Sequence, residues 1–394
     1  MLVFASPMIL LCLFLGVLLS LTNVSSSYAE SPRAELYTMG PGNELFTRFG
    51  HAVLCVTTES WSPALCFNYG TTDFSRPVGL TWDVLLGRAE FYVAVYRIDD
   101  MLMAYRSQDR TVYRQTLPLS NEQVLRLAEK LDEDTQPDNR TYLYDHFLDN
   151  CSTKPRDLID DVSGGLLASM KRSENPTYRE LVDEGLGGSW LLMFLGDLCL
   201  GRRLDRVTTP YEAMFLPRVL RGSVTERLGS VPETVYARKA PLQPSRPEAA
   251  RVSTWLFMMS FAAITSTVIL WGPARLATAA RIFVGLIWGA QGALLLFLAV
   301  VSSSPEIRYN ENLLVFFVTD FLLAVGRPKL IVWYARIRVA ELMFVGVLSA
   351  AGVLIQPIWP FWCAAIVPLL AVAILAFNRS RLRWLFSSRS APWV

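Results

Sequence analysis

The chain has 394 residues, of which 52% are hydrophobic, and its formal net charge is +2. This apolar fraction excludes an ordinary soluble protein. Residues 254–394 carry 11 Lys and Arg against 4 Asp and Glu, whereas the rest of the chain carries 26 against 31. An acidic part is therefore joined to a basic, apolar part, and we expect no nucleic-acid partner because the chain shows no basic stripe.

The N-terminal residues 1–29 have the pattern of a signal peptide. An apolar run over residues 8–21 is followed by Ser27, Tyr28 and Ala29, which supply small residues where a signal peptidase reads the chain. We predict cleavage before Glu30. The alternative is an uncleaved N-terminal anchor.

The next part, residues 30–250, is predicted to be one exported α+β domain, because its length is usual for a single domain. Four-residue spacing and a capping box predict a helix from Ser120 onward. Alternating or apolar runs predict strands at residues 35–39, 51–57, 64–69, 91–98 and 111–116. Shorter helices are predicted at residues 177–182 and 191–200. Four prolines over residues 228–250 indicate a linker.

Beyond the linker, residues 251–394 are predicted to form an all-α bundle of five membrane helices. The apolar segments are residues 255–272, 282–301, 313–326, 339–355 and 361–377. Basic residues concentrate in alternate connections and in the C-terminal tail. The positive-inside rule then puts residues 30–250 in the periplasm and the C-terminus in the cytoplasm, so we expect a multi-pass protein of the bacterial inner membrane. Asp320 is an acid within the third segment, and its role stays open.

One motif carries nucleophilic chemistry. Cys151 precedes a predicted helix that has Pro155 in its first turn, and a helix N-terminus is expected to lower the pKa of the thiol. A nucleophilic thiol needs a base, and the chain has only two histidines. We select His51, at the start of a strand, as the partner of Cys151, and read His146 as a wall or core residue.

Three polar residues are candidates for supporting roles. Asn68, on the second strand of the predicted hairpin, could fix the tautomer of the imidazole, or could be an ordinary turn residue. Asn150, with Ser152 beside it, could supply a donor to an oxyanion, or could cap the helix. Both alternatives stay open for each position.

The remaining cysteines of the exported part leave a choice. Cys55 and Cys66 flank the hairpin turn and could form a disulfide in an oxidising compartment, or could be small buried hydrophobic residues. No CxxC motif occurs and histidine is scarce, so we predict neither a metal nor a cofactor.

The motifs together resemble a known family. Residues 40–51 (GPGNELFTRFGH), 67–74 (FNYGTTDF) and 149–157 (DNCSTKPRD) look like those of the family that has an Lnb-type N-terminal periplasmic domain followed by five membrane helices. The order of His before Cys is similar to that of circularly permuted papain-like enzymes, related to the NlpC/P60 group. The resemblance implies a permuted papain-like periplasmic domain with His51 and Cys151 as the catalytic pair.

The resemblance also implies an activity, lipoprotein N-acyltransfer. The acyl donor would be a phospholipid, the acceptor would be the α-amino group of a diacylglyceryl-cysteine lipoprotein, and a thioester on Cys151 would link the two steps. We expect the outward loop with Tyr309, Glu311 and Asn312 to line a lipid entrance from the bilayer. The alternatives are a membrane-anchored cysteine hydrolase, either an amidase or a phospholipase, and a non-enzymatic membrane scaffold.

Overall fold

The computed structural model describes residues 31–375. The predicted signal peptide and the basic C-terminal tail lie outside the described residues, and the predictions made for them stay predictions.

The first half of the chain is built on one antiparallel sheet of seven strands. Their order across the sheet is β6-β4-β3-β2-β1-β5-β7. The strands are β1 Arg33–Met39, β2 His51–Thr57, β3 Leu65–Thr71, β4 Glu90–Arg97, β5 Val112–Thr116, β6 Thr141–Leu143 and β7 Glu233–Tyr236.

Eight helices surround this sheet, and six more form the second half. The first group is α1 Pro77–Leu85, α2 Ile98–Ser107, α3 Asn121–Thr135, α4 Thr153–Val162, α5 Tyr178–Leu186, α6 Trp190–Cys199, α7 Pro210–Ala213 and α8 Pro217–Leu228. The second group is α9 Pro247–Trp271, α10 Ala274–Val301, α11 Pro305–Arg308, α12 Leu322–Val325, α13 Pro328–Ala350 and α14 Trp359–Leu375. An α+β domain followed by a helical region is confirmed.

Local sequence explains the central strands. The β2–β3 hairpin is present, and Cys55 pairs with Cys66 directly across it. Their side chains form a disulfide, which decides between the two alternatives for these cysteines. The capping box also forms, since the Ser120 hydroxyl accepts from the Gln123 amide and the Gln123 side chain accepts from the Ser120 amide.

Both faces of the sheet are covered, so its strands are buried. One face packs under α3, α4 and α8 through residues such as Leu36, Leu54 and Leu127. The other face packs against α2 through residues such as Tyr37, Val53 and Met101. Side chains of β2 are therefore held from both sides, and a residue at its end is placed with little freedom.

The predicted linker differs from the structure in two ways. Residues 233–236 form β7, which adds an edge strand beside β5. Helix α9 begins at Pro247, four residues before the predicted boundary. Proline is suited to this first helical position, because its missing N–H has no partner there in any case.

Among residues 31–375, two helices are long and apolar enough to cross a membrane, α9 and α10. Their outward side chains include Leu256, Ile264 and Phe283, each at least half exposed. Large apolar side chains on a protein surface indicate contact with a lipid or a partner. Helix α14 is a shorter apolar helix of 17 residues, and α13 carries charged residues within its 23.

The third apolar segment is not the helix that we predicted. It consists of two 3-10 turns, Glu311–Leu314 and Val318–Phe321, followed by the single turn of α12. This irregular backbone lies against glycines of α10: a Cβ at Gly289 would meet the Phe321 ring at 2.6 Å, and one at Gly285 would meet the Ala324 nitrogen at 2.8 Å. Irregular backbone among apolar helices is stable only when other protein groups form hydrogen bonds with its N–H and C=O groups.

Side chains of the third segment and of α13 supply those groups. Asp320 accepts from the Phe317 amide at 2.9 Å and from the Tyr334 hydroxyl at 2.7 Å. Arg338 donates to Asp320 at 3.0 Å and to the Val315 carbonyl at 2.7 Å. Asp320 therefore has a structural role in this fold, which the sequence left open.

The two halves are joined by hydrogen bonds at the C-terminal end of α6. The Leu198 carbonyl accepts from the side-chain amides of Asn310 and Asn312, at 2.8 and 3.2 Å. The Asp197 carbonyl accepts from Asn312 at 2.9 Å and from the Gln356 amide at 3.2 Å. Terminal carbonyls of a helix lack partners within the helix, so these amides act as a cap that comes from the other half of the molecule.

Candidate active site

A large cavity of about 1430 Å³ opens between the sheet domain and residues 303–307, which follow α10 in the helical region. Its walls are mostly apolar and aromatic, and they include both histidines and Cys151. Ordinary small-molecule sites occupy roughly 300–1,000 Å³. The size and lining of the cavity therefore suit a long, apolar ligand.

The reactive residues meet where β2 and β3 separate. The ladder between these strands ends at Leu54 and Phe67, so the strand ends beyond it diverge. Gly70 lies in the gap with a φ of +93°, a conformation that favours glycine. A Cβ on Gly70 would lie 3.2 Å from the Cys151 Cβ and 3.5 Å from the His51 Cε1. Cys151 and His51, separated by 100 positions in the chain, thus flank one glycine.

Asn68 fixes the imidazole of His51. Its side-chain oxygen lies 2.6 Å from the His51 Nε2. An amide oxygen only accepts, so Nε2 carries the proton and Nδ1 keeps a free lone pair. The Asn68 side chain also hydrogen-bonds the hydroxyl of Tyr105, which orients the amide. Nδ1 is consequently the nitrogen that can act as a base.

The sulfur of Cys151 lies against two backbone donors. The backbone N–H groups of Ala52 and of Cys151 itself both lower the pKa of this thiol, against the larger effect of burial. Ala52 follows His51 at the start of β2, beyond the end of the β2–β3 ladder. When the sulfur attacks a carbonyl group, backbone N–H groups beside it can stabilise the negative charge that develops on the carbonyl oxygen.

Burial controls the protonation of both reactive groups. It raises the pKa of the Cys151 thiol to about 11, against the smaller lowering effects of the Ala52 N–H and the charge of Arg110. It also lowers the pKa of His51 to about 4, helped by the charge of Arg110. The expectation that the helix N-terminus lowers the thiol pKa is wrong, because desolvation is the larger effect. The resting pair is a neutral thiol and a neutral imidazole.

Asn150 has the capping geometry. Its side-chain oxygen accepts from the amides of Ser152 and Thr153, at 2.7 and 2.9 Å. Its nitrogen donates to the carbonyls of His146 and Phe215. The Ser152 hydroxyl is fully buried and donates to the Met214 carbonyl at 2.7 Å. Both side chains hold Cys151 in place from behind, and neither offers a spare donor to the cavity.

The predicted entrance residues lie elsewhere. Asn312 is fully buried in the cap of α6, and Glu311 is buried and paired with Arg202 at 3.1 Å. Tyr309 is about half exposed but lies beneath the Arg203 guanidinium, outside the cavity. This loop is held by side-chain amides that also bind α6, which the sequence did not indicate. The cavity instead reaches the helical region through Ser303, Ser304, Glu306 and Ile307.

Sequence reasoning missed Tyr105 and Arg110. The Tyr105 ring lies 6.0 Å from the imidazole of His51, and the Arg110 guanidinium lies 5.4 Å from the Tyr105 ring. A single Tyr and a single Arg near a turn have no pattern that a sequence can show. His146 is buried in an aromatic wall, where its Nδ1 lies 3.1 Å from the Tyr144 hydroxyl and burial lowers its pKa to about 4.

The fold and site together define an exported α+β domain that carries a Cys–His–Asn arrangement and adjoins helices able to cross a membrane. Residues 25–184 match the family model described as the Lnb N-terminal periplasmic domain. The family assignment made from the three motifs is therefore confirmed for this part of the chain: it carries an Lnb-type N-terminal periplasmic domain, and two helices of residues 31–375 are long and apolar enough to cross a membrane. Comparison with curated proteins and with solved structures gave no match.

Proposed function

We propose that this protein is a lipoprotein N-acyltransferase. It moves an acyl chain from a phospholipid to the α-amino group of a diacylglyceryl-cysteine lipoprotein, with Cys151 as nucleophile and His51 as base. The observation that carries the proposal is the meeting of Cys151, His51 and Asn68 inside a large apolar cavity. Family membership supports a role in lipoprotein modification.

The first step forms a thioester. His51 Nδ1 takes the thiol proton as the Cys151 sulfur attacks an ester carbonyl of the phospholipid. The Ala52 and Cys151 N–H groups donate to the oxyanion. His51 then returns its proton to the glycerol oxygen, the C–O bond breaks, and a lysophospholipid leaves. Both groups start neutral, so no thiolate–imidazolium pair has to be held in the resting cavity, and opposite charges arise only in the tetrahedral intermediate, as the imidazolium of His51 and the oxyanion.

The second step forms the amide. The neutral α-amino group of the lipoprotein attacks the thioester carbonyl and gives a proton to His51. The C–S bond breaks and His51 reprotonates the sulfur, so the enzyme returns to its first state. The apolar walls favour this transfer over hydrolysis because they keep water away from the thioester.

The architecture that we propose matches this chemistry. The sheet domain has a circularly permuted papain-like fold in the periplasm. Five segments cross the inner membrane: α9, α10, the irregular third segment, α13 and α14, which puts the C-terminus in the cytoplasm. The stacking of Trp82 on Phe297, with ring centroids 5.9 Å apart, supports a catalytic domain that rests directly on the end of α10.

Intact mass spectrometry tests the proposal. The full-length protein in nanodiscs is incubated with a phosphatidylethanolamine of one defined acyl chain, and the acyl mass is expected on Cys151. A diacylated lipopeptide is then added, and the acyl group is expected on its amine. The matched control is Cys199→Ala, which removes a different free cysteine of the described part and is expected to leave both steps unchanged.

Each alternative function has its own outcome. Release of free fatty acid in the presence of the lipopeptide identifies a phospholipase. Cleavage of cell-wall peptide without an acyl adduct identifies an amidase. If neither the phospholipid nor the cell-wall peptide reacts, the proposal that the protein is an enzyme is contradicted, and the alternative of a non-enzymatic membrane scaffold remains.

A further inference from the structure

A buried arginine lines the cavity and has an unused donor. Arg110 is 4% exposed, and its Nε donates to the Gly40 carbonyl at 3.0 Å. Its Nη2 has no hydrogen-bond partner within residues 31–375, and no carboxylate of that part influences the pKa of the guanidinium. The titratable groups that influence the pKa of Arg110 are Tyr105, Cys151 and Arg238, and none of them is a carboxylate.

The turn before Arg110 holds it in this position. Asp109 has a φ of 49°, which is unusual for a residue with a side chain. Its carboxylate accepts from the Tyr236 hydroxyl at 2.7 Å and from the amides of Lys239 and Ala240 at 2.9 and 2.8 Å. The carboxylate of Asp109, next to Arg110 in the chain, therefore binds groups in and after β7. It stabilises the turn and does not neutralise the charge of Arg110.

Arg110 lies in one part of the cavity wall, and apolar side chains form much of another part, beside Ser303, Ser304 and Glu306. From Arg110 the wall continues through Tyr105 to His51 and Cys151. Beyond Cys151, Tyr144 stacks on Phe91, with ring centroids 4.3 Å apart. A mainly apolar part then follows, formed by Val84, Leu85 and Ile307. A ligand that spans the cavity therefore meets a cation, the reactive sulfur and an apolar channel in that order.

A buried cation without a counter-charge is costly, and an anionic ligand removes the cost. Glycerophospholipids have the matching order of groups: a phosphodiester, an ester carbonyl and an acyl chain. We propose that Arg110 is the phosphate-binding residue of the donor site, so that the enzyme selects a glycerophospholipid over a neutral diglyceride. This inference rests on the proposed function for the identity of the donor.

Binding to a protein that cannot react tests the inference separately from the chemistry. Full-length Cys151→Ala in detergent is titrated calorimetrically with dihexanoyl phosphatidylglycerol and with dihexanoyl glycerol. Arg110→Gln in this background is expected to weaken binding of the phospholipid by about 10-fold to 100-fold, since a hydrogen bond to a charged group is lost. Binding of the diglyceride is expected to stay unchanged. Arg110→Lys keeps the positive charge, so it is expected to lose less affinity for the phospholipid than Arg110→Gln.

The matched control is Arg106→Gln, which removes an exposed arginine four residues away. It is expected to bind both lipids as the parent does. If Arg110→Gln weakens the binding of both lipids equally, Arg110 only maintains the shape of the cavity. If it weakens the binding of neither lipid, Arg110 has no role in binding. Either result overturns the inference. Melting temperatures of the variants separate loss of binding from loss of fold.

A third titration identifies the source of the phosphate. Inorganic phosphate that binds in an Arg110-dependent way, while the phospholipid does not, would overturn a lipid site in favour of a free-anion site. Because Cys151 is absent from these proteins, a failure to detect a thioester in the mass-spectrometric experiment would contradict the proposed function and leave this binding result intact.

Discussion

Two buried arginines in this molecule have opposite surroundings. Arg338, in the helical half, is 2% exposed, and all three of its nitrogens donate, to Asp320, to the Val315 carbonyl and to Glu341. Arg110, in the sheet domain, is nearly as buried but leaves Nη2 without a partner among residues 31–375. Buried polar groups are normally satisfied. Arg338, whose donors all have partners, stabilises the fold, whereas Arg110 keeps a donor that an anionic ligand of the cavity could bind, as we propose.

The largest effects are expected from the reactive pair on the cavity side of this comparison. Cys151→Ala and His51→Ala should each lower acyl transfer by roughly 10⁴-fold, as loss of a catalytic nucleophile or base does elsewhere. Stability should not fall, because neither side chain supports the core as Asp320 does. Thioester formation by mass spectrometry and thermal unfolding measure the two quantities. A Cys151→Ala protein that still transfers acyl chains would contradict the assigned nucleophile.

The opposite pattern is expected on the helical side. Asp320→Ala leaves Arg338 buried without its main counter-charge, and breaking one partner of a buried pair costs about 3–5 kcal/mol. Unfolding in detergent should show this loss, while acylation of Cys151 per folded molecule stays unchanged. Glu341→Gln is the control, because Glu341 is 26% exposed and its removal should cost much less. A lower acylation rate in folded Asp320→Ala would break the separation between the two regions.

Gly70 sharpens the cavity side further. Gly70→Ala adds a methyl group 3.2 Å from the Cys151 Cβ at a positive φ, so it strains the backbone and displaces the sulfur. Displacements near 1 Å can cost about 10²-fold in rate. Gly229→Ala is the matched control, since its φ is +69° and a Cβ there meets nothing within 4 Å.

Both glycine variants should therefore lose similar stability, about 1 kcal/mol, from the strained backbone. Only Gly70→Ala should lose acylation. Equal acylation rates in the two variants would show that the sulfur does not depend on the Gly70 contact.

The smallest effect is expected from pH. The pKa of His51 is lowered to about 4, so its base form persists well below the usual value of 6.5. The pKa of the thiol is raised to about 11, so it also stays neutral across this range. The kcat/KM for thioester formation should change less than about twofold between pH 5.5 and 8, and should fall only as pH approaches 4. A fall centred near pH 6.5 would show a solvated imidazole and break the argument from burial.

The sequence predicts the sheet domain better than the parts that decide specificity. Residues 51–57 are predicted as a strand and form β2 with the same ends, because an apolar run begins directly after Gly50. The capping box at Ser120 is equally local. The position of Asn68 beside His51 is also foreseen, since a hairpin brings neighbouring strands together.

The errors have a common cause: each depends on a partner that is remote in the chain. The apolar composition of residues 313–326 predicts a helix, but Asp320 binds Arg338 in the next helix and the glycines of α10 admit irregular backbone. Glu311 and Asn312 are polar residues of an outward loop, yet they are buried by contacts with Gln356 and α6. The sequence does not single out Arg110, because the feature that distinguishes it is a buried Nη2 without a hydrogen-bond partner among residues 31–375, which only the structure shows.

The amide cap on α6 has a consequence for how substrates arrive. Side-chain amides of the helical half bind the last carbonyls of α6, and these hydrogen bonds hold the sheet domain in one orientation relative to the helices. In the membrane arrangement that we propose, the distance from Cys151 to the lipid surface is then fixed, and so is the direction in which the part of the cavity lined by Ser303 and Ile307 faces. Donor and acceptor lipids would then reach Cys151 from the same side of the protein, so they would bind one after the other.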